Sequence, residues 1–200
     1  MSRFLAPALL ALSVLAVTPV ALAAPNPDPA AMPAGSYMLE KTHASVTARV
    51  LHHGYSFYTF RFDKFDASYD YDPKSPESAK VKVTVDTKSM NTGLAKADKE
   101  FPVEFLKADQ FPTATFVSKT IKHNGGGKGT MTGDLTLAGV TKPVTLDVNF
   151  LGFGKDMFGL QRAGFSAKTV IKRTEFGSTL YAPAIGEDVE LAIEVEFIKK

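Results

Sequence analysis

Apolar and polar residues alternate with a period of two along several stretches of the chain. Val81, Val83 and Val85 are interleaved with Lys80, Lys82, Thr84 and Asp86. Val144, Leu146, Val148 and Phe150 alternate with Thr145, Asp147 and Asn149, and Leu191, Ile193, Val195 and Phe197 with Glu190, Glu194 and Glu196. Side chains leave alternate faces of a β-strand, so each run predicts a strand with one dry and one wet face. Turn formers separate the runs: Asp72-Pro73 with Ser75-Pro76, Gly125-Gly126-Gly127, Ala138-Gly139, Gly152-Phe153-Gly154 and Ile185-Gly186-Glu187-Asp188. Half-buried strands at short intervals predict an all-β antiparallel sandwich or barrel, because a parallel sheet shows nearly continuous apolar strands and long helical crossovers. Residues 91–108 break the pattern, with Leu94, Ala95, Ala97, Val103, Phe105 and Leu106 grouped around Pro102. They predict one or two short helices between strands, placed to cover a barrel mouth.

The N-terminal end reads differently. Arg3 is followed by an apolar run over residues 4–17 and by the small-residue site Ala21-Leu22-Ala23. This predicts a secretory signal peptide over residues 1–23, cleaved after Ala23. As a membrane span the run is short of the roughly 20 apolar residues required, and Pro19 interrupts it. The expectation is an exported protein without stable membrane insertion. Residues 24–35 carry Pro25, Pro27, Pro29 and Pro33 with little apolar content and read as an extended linker. Residues 36–200 show no second linker, charge block or fixed repeat, and so predict one domain.

Composition narrows the function. The sequence has no cysteine, which excludes disulfides, thiolate metal ligands and Cys-x-x-Cys-His haem attachment. Stability must come from the core alone, for which the 177 residues left after signal removal are sufficient. After removal of Arg3, 22 basic residues face 21 acidic ones, which gives no electrostatic footprint for nucleic acid.

Aromatic residues crowd two segments. Tyr55, Phe57, Tyr58, Phe60, Phe62, Phe65, Tyr69 and Tyr71 form the first, and Phe101, Phe105, Phe111 and Phe116 the second. Between Tyr55 and Phe62 both strand faces carry rings, so the inward face is open from sequence. There is no Trp, and the Phe-rich interior makes few hydrogen-bonding demands. An eight-stranded closed sheet lies at the size where side chains either fill the interior or leave room for one small ligand, and periodicity does not choose between them.

Several runs resemble the YceI-like family. The opening is carried by Tyr37-Met38-Leu39-Glu40-Lys41-Thr42-His43-Ala44-Ser45, by His53-Gly54-Tyr55-Ser56 and by Arg61-Phe62-Asp63-Lys64-Phe65-Asp66. The middle is carried by Val83-Thr84-Val85-Asp86-Thr87-Lys88-Ser89-Met90-Asn91-Thr92 and Phe111-Pro112-Thr113-Ala114-Thr115-Phe116-Val117-Ser118. The most recognisable stretch is Gly133-Asp134-Leu135-Thr136-Leu137-Ala138-Gly139-Val140-Thr141-Lys142-Pro143-Val144, followed by Arg162-Ala163-Gly164-Phe165, by Ile171-Lys172-Arg173-Thr174-Glu175-Phe176-Gly177 and by Val189-Glu190-Leu191. Glu40 stands where the family has Asp, Ala44 replaces the usual Ser, and the Asp-Phe-Phe form before Phe111 is missing. The resemblance implies a lipocalin-like barrel of eight antiparallel strands with a short helical insertion. It also implies a periplasmic, non-enzymatic protein that takes up a polyisoprenoid or other long-chain amphiphilic lipid, with no other cofactor.

On that reading the expected lining is Phe57, Phe60, Phe62, Phe105, Phe111, Phe116, Phe150 and Phe165, with His53 and Arg173 at the head of the ligand. Arg173 has an equal alternative use, a salt bridge pinning the turn beside Phe176-Gly177 to a neighbouring strand. Other chemistry is poorly supported. His52 and His53 point to opposite faces if both lie on a strand. His43 and His53, even if a hairpin brings them together, lack a third ligand for zinc. There is no Gly-x-Ser-x-Gly elbow, and Lys128 is followed by Gly129 rather than by the Ser or Thr of a phosphate loop. Asp63 with Asp66, and Glu187 with Asp188, lie beside turns as solvated charges. An enzyme acting on an isoprenoid-type lipid and a solid-core stress-response or interaction protein remain as alternatives, and a homodimer is open.

Overall fold

A computed structural model describes residues 24–200; the expected signal peptide, residues 1–23, lies outside the described residues. The strands are β1 (Gly35–His52), β2 (Ser56–Phe62), β3 (Phe65–Tyr71), β4 (Lys80–Asp86), β5 (Met90–Asn91), β6 (Thr113–Gly125), β7 (Lys128–Leu137), β8 (Val140–Lys155), β9 (Gln161–Lys172) and β10 (Ile185–Lys199). One α-helix, α1 (Ala95–Leu106), falls inside the segment where the alternation breaks.

All pairings between strands are antiparallel. Neighbour to neighbour, β1, β10, β9, β8, β7, β6, β4 and β3 form a circuit closed by β1 on both sides, an eight-stranded barrel. Strand β1 is long enough to serve two partners on one edge: Gly35 to Met38 pair with β3, whereas Val46 to His52 pair with β2. Its other edge runs along β10 with two interruptions, the second between Val50 and His52, where the partner moves from Val189 to Ile185. At the first, Glu40 faces Glu196 and Ala44 faces Val195, so Lys41, Thr42 and His43 loop out as a wide bulge. Among the described residues the outer edge of β2 pairs only with the two-residue β5, at Arg61 and Phe62, and α1 crosses this end of the barrel.

The interior divides into two halves. In one, rings fill the barrel. Tyr37 stacks on Tyr69 at 4.9 Å, Tyr69 meets Phe197 at 4.8 Å and Phe165 at 5.7 Å, and Phe150 meets Phe165 at 5.2 Å. Burial pushes the Tyr69 hydroxyl well above the ordinary tyrosine range, so it stays protonated in the plug. Residues 24–35, expected as a free linker, instead seal this end. Met32 is buried among these rings, Asn26 and Phe153 exchange backbone hydrogen bonds, and the Tyr37 and Tyr71 hydroxyls donate to the carbonyls of Pro33 and Pro29 at 2.7 and 2.6 Å. Proline supplies acceptors without donors, and buried tyrosines need acceptors. That complementarity turns an apparent linker into a cap.

Candidate functional site: an apolar cavity in the open half of the barrel

The other half of the barrel is hollow. On β1 the inward residues are Val46, Ala48 and Val50; on β2 they are Tyr58, Phe60 and Phe62; on β10 they are Val189 and Leu191. The register sets Ala48 between Phe60 and Leu191. Small side chains recur at inward positions here, Ala48 on β1 and Ala114 on β6, where the plugged half carries Tyr and Phe. A barrel of this size is filled or empty according to such choices. The result is a cavity of about 580 Å³, within the size range of ordinary ligand pockets.

Helix α1 roofs it. Phe101 and Phe105 lie one turn apart, in contact with each other at 5.3 Å, and reach Tyr58 and Tyr181 at 5.9 and 6.2 Å. Helix spacing of four residues is what places both rings on the side facing the barrel. Of the 27 lining residues only His52, His53, Tyr58, Arg173, Ser178 and Tyr181 carry a polar side-chain atom. These gather where the end of β1, the short 3₁₀ turn Arg173–Phe176 and the loop before β10 converge. No carboxylate lines the cavity among the described residues.

The expected lining is placed as follows. Phe60, Phe62, Phe105, His53 and Arg173 all face the cavity. Phe57 does not: it shares a strand with Tyr58, Phe60 and Phe62 but has the opposite parity, stands 47% exposed on the outer wall, and lies under the Arg49 guanidinium at 4.5 Å. Phe150 and Phe165 belong to the plug at the opposite end. Phe116 points inward but is buried beneath the cavity against Gly133, where a Cβ would come within 2.5 Å of its ring. Phe111 packs on the turn between β7 and β8, over Gly139, whose φ of +80° that turn requires. Tyr58, Phe101 and Phe176 line the cavity unexpectedly. Parity with Phe60 marks Tyr58 in the sequence; nothing local marks Phe176.

The two histidines also differ from expectation. His52 ends β1, and His53 leaves the strand with φ of +51°, which releases it from strict alternation. Both rings therefore reach the cavity, edge to face at 4.5 Å. His43 lies in the bulge of β1, ten residues away on an extended strand, so the imagined approach of His43 to His53 is not made. Its neighbours are Glu40 and Glu196, and one donor atom from each of the three lies within 4.8 Å of the others. Arg162 already hydrogen-bonds Glu196 at 2.8 Å and Asp156 at 2.7 Å and approaches Glu40 at 3.5 Å, so the cluster is an ion-pair network. The paired carboxylates are likewise engaged: Asp63 with Arg61, Asp66 with Lys41, and Glu187 and Asp188 with Lys172.

Arg173 is 6% exposed and has no carboxylate within ion-pairing distance among the described residues. Its Nε donates to the Gly186 carbonyl at 2.8 Å, and its two terminal nitrogens donate to Ser178 and Ile185 at 2.6 and 2.8 Å. Burial pulls its pKa down, but an arginine starts so high that the charge remains. Arg173 therefore pins the turn, but through backbone carbonyls and not through the salt bridge expected from sequence. Guanidinium offers five N–H donors, so this binding leaves donors over at the cavity wall.

The YceI-like domain model matches residues 37–197. The chain belongs to the YceI-like family. Among curated relatives, a UPF0312 protein of Pseudomonas aeruginosa and a protein YceI of Salmonella paratyphi B are each 41% identical over 170 residues, covering 84% of this chain and 88% of theirs. The crystal structure of a YceI protein from Campylobacter jejuni is 36% identical and matches with a TM-score of 0.65, over 72% of this chain and 86% of that one. Two more distant structures share the fold. BcnA of Burkholderia cenocepacia has 23% identity and a TM-score of 0.72, over 79% of this chain and 98% of its own. A polyisoprenoid binding domain from Saccharophagus degradans has 16% identity and a TM-score of 0.64, over 82% and 98%. The closed antiparallel barrel is thus a YceI-like scaffold.

Proposed function

We propose that the protein is a periplasmic carrier that holds one long-chain amphiphile, a polyisoprenoid or similar lipid, in the open half of the barrel. The observation that carries this reading is the division of the cavity wall: 21 of the 27 lining residues are purely apolar, and the six with polar atoms sit together at the mouth. A tail in the cavity would be removed from water at about 25 cal/mol per Å² of apolar surface, offset by the lost freedom of the chain. A head would meet His52, His53, Tyr181 and the spare N–H donors of Arg173. The polyisoprenoid binding of the Saccharophagus domain supports the class of ligand. The lining contains no acid paired with a base, which favours holding over turnover. The Arg3, apolar and Ala21-Leu22-Ala23 signals support export.

Native mass spectrometry of the purified protein, with organic extraction and identification of what is released, tests the carrier. One equivalent of a long-chain amphiphile is expected. Protein that emerges free of lipid and takes up none would refute it. An N-terminus at Ala24 in the periplasmic fraction tests the location.

A further inference from the structure

We propose that the open end of the barrel docks reversibly on the surface of a lipid bilayer and exchanges its ligand there. The inference rests on the carrier reading. Its own evidence is the surface around the mouth. Two stretches frame it, residues 51–60 and residues 176–186, and neither contains an Asp, Glu, Lys or Arg in a chain that is 22% charged. They form one face, because the His53 backbone N–H donates to the Ala184 carbonyl at 2.7 Å.

The tips of that face are apolar and uncovered. Tyr55 is 90% exposed, Tyr181 60% and Leu180 38%. Three of the other tyrosines, Tyr37, Tyr69 and Tyr71, are buried in the opposite half. Apolar surface continues from these tips into the cavity. Tyr55 stacks on His53 at 6.5 Å, Tyr181 reaches Phe105 at 6.2 Å, and both His53 and Tyr181 line the interior. Along these two stretches no charged side chain separates outside from inside; the charges at this end belong to α1, whose exposed side carries Lys96, Lys99, Glu100 and Glu104, and to Lys107, which lies against Gly177. A phenol has an apolar body and a polar tip, which suits it to the headgroup boundary of a membrane.

The occupant follows from the geometry of exchange. A water-insoluble chain leaving a bilayer for a carrier in solution must cross water, at a cost proportional to its apolar area. A mouth whose rim enters the interface removes that crossing. A second protein copy fits less well: a stable interface buries about 800 Å² on each side with a polar rim, whereas this face presents a few side-chain tips around an opening that a partner would block. Uncharged tips also predict binding that does not depend on anionic lipid.

Sedimentation with neutral phosphatidylcholine vesicles tests this, using the purified protein and the Tyr55→Ser/Leu180→Ser variant, neither position of which lines the cavity. The protein should sediment with vesicles about equally at about 0.1 and about 0.5 M salt, since apolar contact is not screened. The variant should partition at least about tenfold less. Uptake of a fluorescent long-chain fatty acid by the delipidated proteins, supplied below its micelle concentration, should be the same for both. Protein that stays in solution, binding that salt abolishes, or a variant that sediments as well as the parent overturns the proposal. So does a dimer in light scattering that the variant dissolves, which would give the face to a second copy. If the parent fails to take up the fatty acid, the carrier reading falls, and the vesicle result stands apart from it.

Discussion

Arg173→Met separates two uses of one buried cation. Methionine keeps the unbranched apolar stem of the side chain and removes the charge and every donor. Three hydrogen bonds are lost, to the carbonyls of Gly186, Ser178 and Ile185. Hydrogen bonds to a charged group contribute about 1.5–3 kcal/mol each, and relief from burying the guanidinium returns several kcal/mol. The three carbonyls are left in a half-buried loop without their donor. Short of a donor, these carbonyls cost about 1–3 kcal/mol each, and after the relief of burying the charge the balance is a loss of about 3–5 kcal/mol. At about 2 kcal/mol per M of urea, the midpoint of unfolding falls by roughly 2 M. Near-ultraviolet circular dichroism of delipidated protein reads this through the buried tyrosines. Arg173→Lys should lose nearly as much, because a point ammonium does not span three diverging carbonyls. An Arg173→Met protein with an unchanged midpoint and lipid uptake at least about tenfold weaker would refute the reasoning, and would assign the guanidinium to the ligand head.

Four further outcomes are expected. Phe165→Ala opens a void in the plug and should cost about 3–5 kcal/mol in urea unfolding while leaving lipid uptake intact, because the ring lies in the other half of the barrel. Ala114→Phe fills empty space, so native mass spectrometry should show the lipid lost or replaced by a shorter one, with a stability change of no more than about 1 kcal/mol. Phe57→Ala should leave uptake unchanged in a fluorescence titration, since that ring is on the outer wall. Burial raises the Glu40 carboxyl, but hydrogen bonds from Thr42 and His43 outweigh it and hold the pKa down to about 2, against an ordinary value of 4.5. A lowered folded-state pKa stabilises above the unfolded value, so this contribution is complete above pH 4.5 and is lost as pH falls toward 2; Glu40→Gln should flatten that part of the stability profile in acid denaturation.

The barrel was legible because its strands are half-buried and alternate: Val81 to Val85, Val144 to Phe150 and Leu191 to Phe197 all lie in observed strands. The site was legible only in part. Phe60 and Phe62 were found, but Phe57 was grouped with them because ring content was weighed above parity. Phe150 and Phe165 are aromatic and inward, as expected, yet a sequence does not tell at which end of a barrel an inward ring lies. Nor does an inward Ala mark the hollow, since Ala48 and Ala114 line it while Ala67 and Ala163 are buried among the rings of the plug. The Pro-rich segment misled for a related reason. Its composition reports a chain without donors, and whether buried tyrosine hydroxyls stand nearby to use its carbonyls is a property of the folded barrel.

The split interior also bears on how such a protein remains folded without its ligand. An empty cavity of about 580 Å³ forgoes packing along its whole wall. No disulfide compensates, since the chain has no cysteine. What does is the separation of tasks along the barrel axis. The plug concentrates Tyr37, Tyr69, Phe165 and Phe197 in one packed cluster, and the Pro-rich cap adds Met32 to it. The strands that form the cavity wall continue into this cluster: Val46 and Tyr37 are both on β1, Leu191 and Phe197 both on β10, and Ile171 and Phe165 both on β9. These three wall strands are anchored at one end by the plug, and at the other the Arg173 guanidinium ties Ser178 and the start of β10 to the end of β9. The walls can then stay apart without collapsing, because closing the space would require bending strands whose far ends are fixed in a close-packed core.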